Sequence, residues 1–280
     1  MLFGAHVSSA GGIWQAIGRA EAIGCDAVQV FTQSPRMWRP TNHTPEAAAR
    51  FRERRAEAGI ESVVCHALYL VNLASPDPVI HEKSVAAMSA SLEAAAAIGA
   101  EGVIFHVGSH LGAGFEAGLE RVVPAQHELL KLTADDLWLL MENSAGAGGT
   151  IGRSTDELAA IHAAVDHHPR LGLCLDSCHW FVSGVDVTDK AILDAAVADL
   201  DEKIGLDRLR CLHVNDTKAV LGSNLDRHDS IGVGLMGEGL RTFVTHPAFQ
   251  ALPAILETPG PDGHGPDAAE VARLRALHGA

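Results

Sequence analysis

Imidazole and carboxylate groups recur at one position in this sequence, the end of a short apolar segment. Seven of eight such segments end in one of them: His6, His66, His106, Glu142, Asp176, His213 and Glu257. Any one of these residues, taken alone, could be explained more simply, a histidine as a hydrogen-bonded residue and an acid as the cap of the next helix. If the segments are parallel strands, the seven side chains meet at one edge, where metal cations offset charges that are costly to bury unpaired. Nitrogen and oxygen ligands with little sulfur favour zinc or manganese.

A second set of ligand-type residues lies outside the strand ends. His179 follows Asp176 by three residues, on a loop or first helical turn, and Asp226 and His228 flank Arg227 in "LDRHDS". In an extended loop, two residues with one between them point to the same side and can chelate a single ion. Together with His179 they would supply three ligands and leave a position for water. The simpler alternative for Asp226 and His228 is a solvated loop.

The elements that position these groups alternate between strand and helix. Apolar segments typical of buried parallel strands lie near residues 2–7, 27–32, 62–67, 102–107, 137–143, 171–176, 209–214 and 253–258. Ala-rich amphipathic segments predict helices, for example at 45–59, 84–99, 154–168 and 189–205. Eight such units predict an α/β fold, one (β/α)8 TIM barrel domain over residues 1–280, with the metal site at the carboxyl ends of the strands. A doubly wound open sheet is the alternative, for which Gly11-Gly12 is weak evidence.

Composition sets limits on location and partners. Five cysteines, an odd number without disulfide-framework spacing, indicate a reducing cytosol. The apolar runs are too short to cross a bilayer, and the N-terminus lacks a signal-peptide pattern, so a cytoplasmic protein with no membrane partner is expected. A net charge of −14 argues by itself against a nucleic-acid partner, yet it also fits a metalloenzyme whose cations are not counted.

Nine motifs follow one another along essentially the whole chain. They are "GAHVSSAGG", "FTQSPRMWRP", "HALYLVNLASP", "FHVGSH", "MENSAGAGG", "LDSCHWFVSGVD", "LHVNDTK", "LDRHDSIG" and "ILET". In combination and in order they closely resemble the endonuclease IV family of zinc-dependent apurinic/apyrimidinic endonucleases. The resemblance implies a (β/α)8 barrel that hydrolyses duplex DNA 5′ to abasic sites, leaving a 3′-hydroxyl and a 5′-deoxyribose phosphate. It also implies trimming of 3′-blocking groups.

The resemblance implies three zinc ions per chain, with manganese as an alternative at some sites. The ligands fall into three sets: His66, His106 and Glu142; Glu142, Asp176, His213 and Glu257; and His179, Asp226 and His228. Glu142, Asp176 and Glu257 would be the catalytic carboxylates around a hydroxide that zinc makes available near neutral pH.

DNA recognition is expected on Arg36, Tyr69 and Leu70, which match positions that the family uses for it. An arginine beside an aromatic and an apolar wedge suits insertion into a minor groove, although Tyr69 could equally pack over the barrel mouth. The expected partner is double-stranded DNA with an abasic or 3′-blocked lesion. The protein is expected to act at the nucleoid, and no obligatory protein partner is expected. One departure is Val233 in "GVGLMGEG", where the family pattern has an acid, and this leaves the loop geometry open.

Two other function classes compete with a nuclease. A divalent-metal sugar isomerase or epimerase of the xylose isomerase-like barrels also places Glu, Asp and His at strand ends. It needs one or two metals and an acid–base pair, and has no use for His179, Asp226 and His228. A binding module without catalysis would leave nine converging ligands unexplained.

Several other residues are predicted to have supporting roles. His6 is expected to line the site, and Asn143 and Asn215 to orient ligands or phosphate. Cys174 and Cys178 lack zinc or redox spacing and are interpreted as buried packing residues. The histidines on or beside predicted helices are expected at the surface: His81, His127, His162, His167, His168, His246 and His278.

Overall fold

The apolar segments form parallel strands that close into a barrel. The computed structural model describes residues 1–133 and 136–279. Within these ranges the strands are β1 (Leu2–His6), β2 (Ala27–Phe31), β3 (Ser62–His66), β4 (Gly102–His106), β5 (Trp138–Glu142), β6 (Leu171–Asp176), β7 (Leu209–His213), β8 (Asp216–Thr217), β9 (His228–Asp229) and β10 (Pro253–Leu256). The order β1-β10-β7-β6-β5-β4-β3-β2 is closed, and β8 and β9 form a separate antiparallel pair. The predicted barrel is confirmed, and the open doubly wound sheet is wrong.

Most barrel strands end one or two residues before their predicted limits. Ala67 and Val214, for example, each still donate one backbone hydrogen bond of 2.8 Å to the neighbouring strand before the chain turns into a loop. The seven residues predicted at strand ends are therefore the last residues of their strands, except Glu257, which is the first residue after β10. This places them all on one rim of the barrel.

Helices surround the strands. Their bounds are α1 (Gln15–Ala22), α2 (Pro45–Ala58), α3 (Pro78–Ile98), α4 (Phe115–Leu130), α5 (Thr155–Ala164), α6 (Ser177–Ser183), α7 (Lys190–Lys203), α8 (Arg241–Val244) and α9 (Ala268–His278). Helix α3 begins at Pro78 rather than residue 84, because Asp77 caps it by accepting a 2.8 Å hydrogen bond from Val79 N. In the described ranges, no helix combines the length and apolarity needed to cross a membrane.

Buried apolar side chains fill the barrel beneath the ligand rim. This layer consists of Ala27, Val64, Ile104, Leu140, Cys174, Cys211 and Ile255. Cys174 and Cys211 are register partners in β6 and β7, and all five cysteines are buried and free. The burial expected for Cys174 and Cys178 is thus confirmed, and the packed layer gives the ligand rim a rigid floor.

The end of α5 and the position of His162 differ from prediction. The helix stops at Ala164 rather than residue 168, because Asp166 and His167 adopt left-handed backbone with φ of 57° and 50°. The expectation that His162 lies at the surface is wrong, since it is 2 % exposed, with its Nδ1 3.0 Å from Nδ1 of His167. Burial, His167 and Arg208 lower the pKa of His162 to about 4.

We expect His162 to make the fold less stable in acid. The unfolded chain binds a proton there near pH 6.5, whereas the folded chain does so only near pH 4. Unfolding therefore takes up a proton in this window, and stability falls as the pH falls through it. Between pH 7 and pH 5, the wild-type chain should lose about 2 kcal/mol more free energy of unfolding than a His162→Gln variant in urea titrations. Equal losses in the two proteins would contradict this assignment.

Candidate functional site

A first ligand group lies at the ends of β3, β4 and β5. Nε2 of His66 is 3.2 Å from Oε2 of Glu142, and Nε2 of His106 is 3.6 Å from the same oxygen. The ligand atoms of this group all lie within 4.8 Å of one another. The structure therefore brings together the three residues predicted to hold the first ion.

A second group shares Glu142 with the first. Nδ1 of His213 lies 3.1 Å from Oε1 of Glu142, 3.1 Å from Oε2 of Glu257 and 4.0 Å from Oδ2 of Asp176. One oxygen of Glu142 thus faces His66 and His106 while the other faces His213. This arrangement suits a carboxylate that bridges two cations.

A third group joins α6 to the β8–β9 hairpin. Asp176 caps α6 by accepting a 2.8 Å hydrogen bond from His179 N, which places the His179 ring beside the barrel rim. Asp226 reaches both imidazoles, with Oδ2 3.3 Å from Nε2 of His179 and Oδ1 3.2 Å from Nε2 of His228. His228 begins β9 rather than lying in an irregular loop. The solvated-loop alternative does not hold for His228, whose side chain is 18 % exposed.

Charge and hydrogen bonding at these groups fit divalent cations. Burial by itself would lower the pKa of His213, yet Glu257 and Glu142 raise it to about 10. Burial would raise the pKa of Asp226, yet His179 lowers it to about 2. The carboxylates thus bind positive charge strongly, and metal ions can take the place of the protons. Within the described chain, Nε2 of His179 and Nε2 of His228 are buried without a well-aligned hydrogen bond, which suits atoms that ligate a metal.

Two overlapping ligand sets include cysteine. Cys174 and Cys211 lie close enough to His213, and Cys178 to Asp176 and His228, for their ligand atoms to fall within 4.8 Å of one another. Burial raises the pKa of the Cys174 thiol, so it favours the neutral form, which is a poor ligand.

Two asparagines fix the orientation of the ligands. Asn215 donates from Nδ2 to Oδ2 of Asp176 at 2.6 Å and accepts from Glu257 N at 2.8 Å. Asn143 accepts from Asp176 N at 2.6 Å, and its carbonyl lies 2.9 Å from Nδ1 of His179. A proton on that Nδ1 leaves Nε2 free as a ligand.

Gln29, in the middle of β2, is a site residue absent from the sequence-based prediction. It is completely buried, and its Oε1 lies 2.7 Å from Nε2 of His213. Its Nε2 donates to Glu257 and lies 2.8 Å from Nδ1 of His6, which lines the rim as expected. Gln29 thereby directs Nδ1 of His213 toward Glu142 and Glu257. The signal in the sequence was a single amide within the apolar run "AVQVF".

Replacing Gln29 with leucine should weaken metal retention without unfolding the barrel. The change removes the acceptor for His213 and the donor for Glu257, so we expect about 10- to 100-fold lower metal affinity in competition with a chelator. Gln126→Leu is the matched control, because Gln126 is also fully buried, on α4, and its amide makes no hydrogen bond within the described residues. An unchanged affinity in Gln29→Leu, or an equal loss in both variants, would refute the role of Gln29.

The residues predicted to contact DNA stand on loops above the ligands. Tyr69 is 56 % exposed, and its ring packs edge-on against Phe31 at 5.2 Å between centroids and lies 5.9 Å from the ring of His66. Its backbone N–H donates to Pro35 O at 3.2 Å, which ties this loop to the one bearing exposed Arg36. Leu70 is half-buried against the core. Tyr69 therefore both packs at the barrel mouth and presents a free face.

The ligand groups open into a cavity at the barrel mouth. Its volume is about 160 Å³, and its lining consists of His66, Tyr69, His106, His179, Asp226, His228 and Glu257. A larger cavity of about 880 Å³ adjoins it over the loops that follow β1 and β2, and Tyr69 and Glu257 border both. A bulky substrate can therefore reach the ligands from outside.

Comparison with known proteins identifies relatives over the full length. The family model for the xylose isomerase-like TIM barrel matches residues 17–277. A protein of Methanoculleus marisnigri named "Probable endonuclease 4" is 43 % identical over 100 % of both chains. One of the same name from Chloroflexus aurantiacus is 39 % identical over 98 % of this chain and 97 % of its own.

Solved structures agree with these relatives. Endonuclease IV from Thermus thermophilus superposes with a TM-score of 0.87 at 36 % identity, covering 99 % of this chain and 98 % of that one. D-psicose 3-epimerase from Clostridium cellulolyticum superposes with a TM-score of 0.70 at 14 % identity, covering 99 % and 96 %. The second similarity shows a shared fold only.

Proposed function

Because the chain belongs to the endonuclease IV family of xylose isomerase-like TIM barrels, we propose that it hydrolyses duplex DNA 5′ to abasic sites. The products are a 3′-hydroxyl and a 5′-deoxyribose phosphate, and the same centre would trim 3′-blocking groups, which are also phosphoesters. The observation that carries the proposal is the third ligand group of His179, Asp226 and His228, placed beside the other two.

We further propose that three zinc ions occupy these groups, with manganese as an alternative at some of them. Bound zinc would supply a water of near-neutral pKa and positive charge opposite the phosphoryl oxygens. Glu142 holds the first two groups together through its two oxygens, and Asp176 links the second group to the third because it also caps the helix that carries His179. Asp176 and Glu257 are kept in position by Asn215.

Duplex recognition is assigned to Arg36, Tyr69 and Leu70. These residues lie on neighbouring loops that are joined by the Tyr69–Pro35 hydrogen bond. The Arg36 cation and the wedge formed by Tyr69 and Leu70 therefore lie on the same side of the barrel mouth, where both can contact one duplex. An abasic nucleotide is the easiest to extrude from a duplex, because its stacking is already lost. The setting of this activity would be the cytoplasm, at the nucleoid, with no obligatory protein partner.

A metal-dependent sugar epimerase is the competing proposal, supported only by the shared fold. Such an enzyme has no use for a third ligand group. Incubation with a duplex bearing one abasic site, with and without a chelator, and in parallel with ketohexoses, separates the two. We expect one metal-dependent incision on the 5′ side and no epimerisation. Absence of incision by fully metal-loaded protein would refute the proposed nuclease activity.

A further inference from the structure

Asp216, in β8, is a completely buried carboxylate held by backbone amides. Its two oxygens accept hydrogen bonds from the N–H groups of Thr217 (2.8 Å), Gly232 (3.1 Å), Gly234 (3.0 Å), Met236 (3.0 Å) and Gly237 (3.1 Å). Within residues 1–133 and 136–279 it forms no ion pair with Lys, Arg or His. The negative charge is therefore balanced by peptide dipoles alone, as in a backbone anion nest.

Four of the five amides that bind Asp216 come from one segment, residues 232–237, which we name the clamp loop. It lies on one side of β8, where Leu235 N donates to Thr217 O at 2.7 Å. On the other side, β9 pairs with β8, and Thr217 is the register partner of His228. Asp216 thus fastens the clamp loop to the same short hairpin that presents His228 and, two residues earlier, Asp226.

The contact between Asp216 and the clamp loop is tightly packed and leaves no space for a side chain at Gly234. A Cβ atom at Gly234 would lie 2.5 Å from Oδ1 of Asp216 and 2.5 Å from Thr217 O. By contrast, the side chain of Val233 is 63 % exposed. The clamp loop is therefore held through its backbone, and the identity of residue 233 is free to vary.

We propose that Asp216 is a positioning residue for the third ligand group. A two-stranded hairpin of two residues per strand is not stable alone, so the geometry of His228 and Asp226 depends on what β8 is anchored to. The carboxylate supplies that anchor by joining the clamp loop to β8. This inference depends on the proposed function only in taking the bound ion to be zinc.

The test is Asp216→Asn, which preserves shape and removes the charge. Oδ2 accepts three of the five N–H bonds and Oδ1 two, so in either amide orientation at least two N–H groups face an NH2 group. We expect the zinc content measured by elemental analysis to fall by one ion per chain while the others remain. Incision kcat should fall by on the order of 10²-fold with little change in KM, and the hairpin and clamp loop should become sensitive to protease.

Two further variants test the contact between Asp216 and the clamp loop independently. Gly234→Ala disturbs the same contact with Asp216 intact, and it carries the test if Asp216→Asn does not fold. Val233→Glu changes an exposed side chain of the clamp loop and should leave metal content unaltered. Folded Asp216→Asn and Gly234→Ala proteins with the wild-type metal content would overturn the proposal. Because metal is counted without DNA, a wild-type protein that fails to cleave would defeat the proposed nuclease and not this inference.

Discussion

Glu142→Gln is expected to lower incision at an abasic site by on the order of 10³-fold, the largest effect of any conservative substitution in the chain. The two oxygens of Glu142 face different groups, with Oε2 toward His66 and His106 and Oε1 toward His213. An amide retains one oxygen and places an NH2 group against imidazoles that must ligate. Both of the first two ions should therefore bind weakly, and elemental analysis should show their loss together with that of activity.

Glu53→Gln is the matched control, because Glu53 is exposed on α2 on the outside of the barrel. It should keep both metal content and rate. A Glu142→Gln protein with wild-type metal content and a wild-type rate would show that this carboxylate does not bridge the two groups.

Asp226→Asn and His228→Gln are expected to have the second largest effect, each lowering incision about 10²- to 10³-fold. Asp226 contacts both imidazoles of the third group, so loss of either ligand should release the same ion. The double variant should then be no worse than the single ones, since residues that act as a unit are not additive. Rates and metal content of the four proteins form a complete cycle.

Asp207→Asn controls for a change of charge, because Asp207 lies exposed before β7 at the opposite end of the barrel. Losses that simply add in the double variant would mean that Asp226 and His228 act separately. Unchanged rates in all three variants would favour a chemistry that needs only the first two groups, such as sugar epimerisation.

The strand ends were predictable because the periodicity of a barrel fixes where their side chains meet. His66, His106, Glu142, Asp176 and His213 each close an apolar segment, and parallel strands bring such positions to one rim whatever the loops do. His179 followed from its position three residues after Asp176, which caps the next helix. The structure brings these residues together in the expected groups.

Other parts of the site depend on tertiary contacts that carry no local pattern. Gln29 interrupts an apolar strand only once, and its partners His213 and Glu257 are far away in the chain. Asp216 binds amides of the clamp loop, whose backbone conformation cannot be inferred from its side chains. The early end of α5 was missed because non-glycine residues such as Asp166 and His167 seldom adopt positive φ, and the burial of His162 involves its contact with His167 beyond that end.

A zinc titration of metal-depleted protein, monitored by incision of a duplex that bears one abasic site, tests the three-ion centre most directly. We expect full activity only when the third equivalent per chain has bound, with a single cut 5′ to the lesion and a 3′-hydroxyl on the product. Full activity at two equivalents or fewer, or a cut on the 3′ side, would contradict it.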